Sequence, residues 1–121
     1  MSGLLNEFDR DKLAKWFIFN KKCFYCGEYQ NKLGHGIDAF HHIMKRSSNS
    51  ILNACPIHNE ICHLGNGIIH QFDTRVMLLG RTMFYLINED YKLTAKDEQF
   101  ISDNTQYYNA VLAGDNSRWQ V

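Results

Sequence analysis

Two stretches decide how this chain is read: Asp38-Ala39-Phe40-His41-His42-Ile43, and Asn53-Ala54-Cys55-Pro56-Ile57-His58. Ile37 to Ile43 is short and apolar-rich, and predicts a strand that ends on a histidine pair. Ser47-Ser48-Asn49-Ser50 is a polar turn. Ile51 to Ile57 predicts a second strand, interrupted near its end by Pro56, the sole proline. Two short strands around a polar loop make a hairpin. Because side chains alternate along a strand, His41 and His42 point to opposite faces of it.

Working outward from the hairpin, the metal-ligating residue types turn out to be segregated. The four cysteines (Cys23, Cys26, Cys55, Cys62) and six histidines (His35, His41, His42, His58, His63, His70) all lie between positions 23 and 70. Dispersed core cysteines and surface histidines do not cluster in this way, and inside a cell such a cluster favours metal over disulfides. Cys23-Phe24-Tyr25-Cys26-Gly27 is a tight turn whose two sulfurs can grip one tetrahedral zinc ion. A redox pair with this spacing belongs at a strand end in a thioredoxin-like βαβ unit, and no such unit is visible. The other two zinc ligands come from Cys55, His58 and Cys62. His58 with Cys62 gives a Cys₃His site, and Cys55 with Cys62 a Cys₄ site. Cys55 lies in the second predicted strand, where a small buried thiol is the ordinary outcome, so His58 with Cys62 is the adopted set.

His41-His42, then Asn53 about ten residues on, then His63 about ten beyond that, inside a cysteine-bearing hairpin, resembles the HNH (ββα-metal) endonuclease family. Asn53-Ala54-Cys55-Pro56-Ile57-His58…Cys62-His63 resembles that family's Asn-x-x-Pro-Leu-Cys-x-x-Cys-His, with His58 in place of the first cysteine and one extra residue before Cys62. The resemblance covers roughly residues 23–70. It implies an α+β fold in which a ββα-metal core with a structural zinc site is flanked by N-terminal and C-terminal helices. It implies DNA as substrate, His42 as general base, and His41 with His63 holding a divalent cation, Mg²⁺ or Mn²⁺. Asn53 would tie the loop between the strands and orient the base. An imidazole is suited to activating water because its unperturbed pKa, about 6.5, lies near working pH. An ion held by two histidines keeps open positions for phosphate and water, unlike the closed zinc site. Lys45 and Arg46, directly after the histidine pair, are candidate phosphate contacts. Asp38 reads equally as an orienting or ligating group and as a solvated acid at the strand start. His70 reads more readily as a surface histidine than as an added ligand, and His35, between Gly34 and Gly36, as a loop residue. Compact chains of this type are often phage-encoded, which by analogy implies action in a host cell.

The remaining sequence frames this centre. Its 121 residues suit one domain, spanning 1–121, with the core over about 23–75. At 45% hydrophobic and 13% aromatic, the chain has enough apolar surface for a packed core. Residues 9–20 predict a helix with Leu13, Trp16 and Phe17 on one face. Asp73 or Thr74 is placed to cap a helix through Asn88, with Gly80 weakening it and a strand over Met83–Ile87 as the alternative. Thr94 to about Leu112 predicts a final helix with Gly114 just beyond, and its Tyr107 and Tyr108 are a candidate homodimer surface. The flanking helices thus cover about 9–20 and 74–112.

No run approaches the roughly 20 apolar residues of a membrane span, and the N-terminus lacks a signal-peptide pattern, so a cytoplasmic protein with no membrane partner is expected. Net charge is zero, yet residues 10–46 carry eight Lys/Arg against three Asp/Glu, while residues 47–121 carry five against eight. Such asymmetry permits a phosphate-binding face without a high isoelectric point. The alternative function is a zinc-stapled nucleic-acid-binding or interaction module without cleavage, a role that needs neither His42 nor His63.

Overall fold

The computed structural model describes residues 23–27, 39–44, 48, 50–57 and 67–114. The predicted helix over 9–20 lies outside the described residues, as do His35, Asp38, Lys45, Arg46, His58, Cys62 and His63. The described chain is mixed α and β, compatible with an α+β class: a two-stranded antiparallel sheet and three α-helices.

Strand β1 is Ala39–His42 and strand β2 is Ala54–Ile57. They pair with His41 opposite Cys55 and His42 opposite Ala54. Pro56, opposite Phe40, turns its carbonyl away from β1 to accept the Phe24 N–H at 2.8 Å. The N and C=O of a strand residue face the same side, so the missing proline N–H costs the hairpin no ladder bond.

The second strand is shorter than expected. Ile51–Asn53 form a 3-10 turn instead of its first three residues. Ser50 sets this turn, accepting the Leu52 N–H on its hydroxyl at 3.1 Å and the Asn53 N–H on its carbonyl at 2.9 Å. A serine that offers the backbone a local partner diverts it from the ladder.

Helix α1 spans Phe72–Asn88 without interruption. The strand alternative for Met83–Ile87 is therefore overturned, and Gly80 does not break the helix. Leu78, Leu79, Gly80 and Thr82 are all buried there, and packing of that face outweighs a glycine penalty of about 1 kcal/mol. Gln71, not Asp73 or Thr74, is the N-cap, and it makes no side-chain capping bond. Asp73 falls in the first turn, where its charge suits the helix dipole. At the other end the Tyr91 N–H reaches the Leu86 carbonyl at 2.9 Å and the Asp90 N–H the Ile87 carbonyl at 3.1 Å. Asp90 takes the left-handed conformation that this Schellman termination requires, with φ 61°.

The predicted final helix is two. Helix α2 is Ala95–Asp103 and helix α3 is Thr105–Ala113. Thr94 opens α2 with a reciprocal capping box to Asp97. Asn104 breaks the run: its backbone leaves helical geometry and its side-chain amide donates to the Phe100 carbonyl at 2.9 Å. Helices α1 and α3 pack together and α2 packs on the 3-10 turn at 51–53, around a core that includes Ile43, Leu52, Leu78, Leu79, Leu86 and Phe100. Among the described residues no helix is long and apolar enough to cross a membrane.

Candidate active site and metal centre

His41 and His42 end β1 on opposite faces, both buried, at 4% and 5% exposure. Directly paired residues share a face, so His41 lies with Cys55 and His42 with Ala54. A short 3-10 segment, Gly67–His70, leads into α1 and brings the exposed His70 ring to 5.4 Å from the ring of His41. His70 is thus both a surface histidine and a neighbour of the histidine pair, a contact that its distance in sequence does not announce.

Asn53 is fully buried and closes the loop that follows the pair. Its carbonyl accepts the Ile43 N–H at 2.9 Å and its side-chain oxygen the Met44 N–H at 2.7 Å. Its side-chain amide donates to the Ser48 carbonyl at 3.0 Å. One residue therefore fixes both the exit from β1 and the far side of the loop. Asn suits this position because it carries an acceptor and a donor on one short side chain.

The 3-10 turn before Asn53 is anchored from the helical side. Ser50 donates its hydroxyl to Asp97 at 2.7 Å, and Asp97 also accepts from the Tyr91 hydroxyl and, at 2.9 Å, from the Thr94 N–H. Burial alone raises the Asp97 carboxyl. The hydrogen bonds from Thr94, Tyr91 and Ser50 outweigh that and hold it below the ordinary carboxylate value. Burial, and then the Asp97 charge, push the Tyr108 phenol up. Tyr108 is inside the core and Tyr107 stacks on Phe72 at 4.7 Å, so Tyr108 offers nothing to a dimer surface.

The cysteine turn sits between the hairpin and α1. The Gly27 N–H donates to the Cys23 carbonyl at 2.8 Å, and the Cys26 N–H points at the Cys23 sulfur at 3.5 Å. Gly27 adopts φ +80°, a conformation that glycine enters without steric cost. Phe24 is gripped on two sides: its N–H by Pro56 of β2, and its carbonyl by Arg81 of α1 at 2.6 Å. Arg81 also donates to the Tyr25 carbonyl at 3.2 Å. Burial lowers the Arg81 guanidinium from its ordinary value, while Cys23 and Cys26 pull it back up.

Burial pushes the Cys55 thiol well above its ordinary value, and Cys23 adds to this. Among the described residues, no group of three or more His, Cys, Asp or Glu side chains is arranged to hold a metal ion. Cys23 and Cys26 are brought together, and so are His41 and His70. His63, His58 and Cys62, which the sequence reading adds to these two sets, lie outside the described residues. The Arg81 contact to Phe24 and the Ser50 contact to Asp97 left no sequence signal, because the partners lie about fifty residues apart in the chain, whereas Thr94-x-x-Asp97 is a capping-box pattern that the sequence does carry. Comparison with protein-family models, curated proteins and solved structures finds no match to this chain.

Proposed function

We propose that this chain is a metal-dependent endonuclease of the ββα-metal type that hydrolyses phosphodiester bonds of DNA inside the cell. The observation that carries the reading is the Asn53 tie: a buried asparagine closing the loop directly behind a His-His strand end. A loop fixed at both ends holds a neighbouring imidazole in one orientation, which general-base chemistry needs. In this reading His42 takes a proton from the attacking water. His41 and His63 are the side chains that would hold Mg²⁺ or Mn²⁺. Such an ion supplies charge stabilisation at the phosphate and the leaving oxygen when bound. Lys45 and Arg46 would contact flanking phosphates.

A second ion, zinc, would be held by Cys23, Cys26, His58 and Cys62. The Cys23–Gly27 turn supports this, with its N–H to sulfur contact and its positive-φ glycine. Cys55, buried in β2, is the alternative ligand to His58.

One observation favours the second reading, a zinc-stapled nucleic-acid-binding module without cleavage: both imidazoles of the pair are buried. A plasmid assay separates the two readings. With added Mg²⁺ or Mn²⁺ the protein should nick or linearise plasmid. His42→Ala should reduce cleavage by about 10²–10⁴-fold, the usual weight of a positioned general base, while zinc content measured by elemental analysis stays at the parental level. DNA binding without cleavage by the parent protein would leave only the second reading.

A further inference from the structure

Arg81 lies mid-way along α1, on a helix that has no part in either proposed ligand set. An arginine on a helix surface ordinarily spreads its guanidinium into water or pairs with a carboxylate. This one, half-buried, turns part of its guanidinium inward onto backbone. One nitrogen, Nη1, donates to two successive carbonyls, those of Phe24 and Tyr25, the residues between Cys23 and Cys26. Its Nε is buried and makes no hydrogen bond among the described residues.

We infer that Arg81 is a positioning residue for the zinc turn, clamping from α1 the backbone that carries Cys23 and Cys26 and placing its positive charge at that turn. This rests on the zinc reading above and goes beyond it, because it names the group outside the ligand set on which metal affinity depends. The physical case has three parts. Holding both sulfurs in register before the metal arrives lowers the ordering cost of binding, and fixing the two carbonyls between them does this. Guanidinium is the side chain best suited to the task, since its planar fork donates several hydrogen bonds from one rigid unit and stays charged. Two zinc-bound thiolates carry excess negative charge, and a neighbouring cation offsets it.

The clamp also has reach. Phe24, held by Arg81 on one side and Pro56 on the other, packs its ring edge-on against Tyr85, one helical turn beyond Arg81, at 5.8 Å. The turn thereby joins β2 to α1. Helix α1 begins two residues after His70, whose ring lies on His41.

The test measures Zn²⁺ affinity of the full chain by competition with a chromophoric chelator, follows the thiolate absorption of Co²⁺-substituted protein, and compares melting with and without Zn²⁺. Arg81→Ala should weaken Zn²⁺ binding by about 10–100-fold, the usual effect of removing a group that supports metal ligands. Arg81→Lys, which keeps the charge and a donor, should recover part of the loss and also serves if the alanine variant folds poorly. The melting loss in Arg81→Ala should be larger for zinc-loaded than for zinc-free protein. Parental Zn²⁺ affinity in Arg81→Ala, or equal melting losses with and without zinc, overturns the inference and leaves the zinc site standing. A parent protein that takes up no Zn²⁺ overturns the zinc reading, and the inference with it.

Discussion

The hairpin region, residues 39–57, and the helical region, residues 72–114, share one apolar core but differ in how their local geometry is fixed. The hairpin has two four-residue strands and one 3-10 turn. Its loop is closed by three hydrogen bonds to a single asparagine, and its outer ties run to Arg81 by way of Phe24 and to Asp97 by way of Ser50. The helical region contains a 17-residue helix closed by a Schellman turn, a capping box, and an apolar seam between α1 and α3. Two strands isolated from the rest of a fold are marginal by themselves. The region that carries the candidate chemistry thus shares the helical core through Ile43, Ile51, Leu52 and Ile57, and its loop geometry is set in addition by a few directional bonds. Helices held by area lose stability gradually as side chains are trimmed. A loop held by one amide loses its geometry when that amide goes.

This contrast is broken most severely by Leu79→Ala. Leu79 is completely buried on α1, and deleting such a side chain costs about 2–5 kcal/mol depending on how far the cavity collapses. Chemical denaturation should show this loss, and any histidine-dependent cleavage that survives at low temperature should keep its parental rate per folded molecule. Asn53→Ala should give the opposite pattern. It strands the Met44 N–H and the Ser48 carbonyl, a loss of about 1–3 kcal/mol. Cleavage should nonetheless fall by far more than that stability loss explains, because the loop behind His42 is no longer fixed. If Asn53→Ala and Leu79→Ala both reduce activity only in proportion to the unfolded fraction, the two regions do not differ in the way described.

The same contrast explains which parts could be read from sequence. Helix α1 was legible because Leu78, Leu79, Thr82 and Leu86 recur at helical spacing, and its Gly80 misled only because propensity is weaker than packing. The His-His strand and the Asn53 position were legible as a local order of residue types. Residues 51–53 were not: Ile51 and Leu52 look like strand, and only the Ser50 hydroxyl and carbonyl turn them into a 3-10 segment. The break at Asn104 was hidden for a related reason, since apolar spacing continues through it while the asparagine side chain takes the Phe100 carbonyl. The long-range contacts of Arg81 and Asp97 were illegible in principle, although the Thr94–Asp97 capping box was not. A charged residue on a helix reads as solvated until the chain brings a distant carbonyl or hydroxyl to it, and periodicity carries no information about partners that far away.

The smallest expected effect is silent at neutral pH and appears only in acid. Asp97 is the joint between the two regions, accepting from Ser50 on the hairpin side and from Tyr91 and Thr94 on the helical side. Its folded-state carboxyl is held below the ordinary value, whereas in the unfolded chain it titrates near the usual value of about 3.9. A depressed folded pKa means that the unfolded state binds the proton first as pH falls. The stability from this charge is therefore complete above the unfolded value, declines below it, and is gone once the pH has passed the folded value. Parent protein and Asp97→Asn should accordingly differ by a constant amount in urea midpoint from pH 7 down to about 5, and converge below about pH 4 as the parent loses its charge. Convergence should be accompanied by loss of the Ser50 tie, which hydrogen exchange at the Leu52 and Asn53 amides reports. Parallel midpoints across the whole range would mean that the joint is held by its hydrogen-bond geometry with no net contribution from charge.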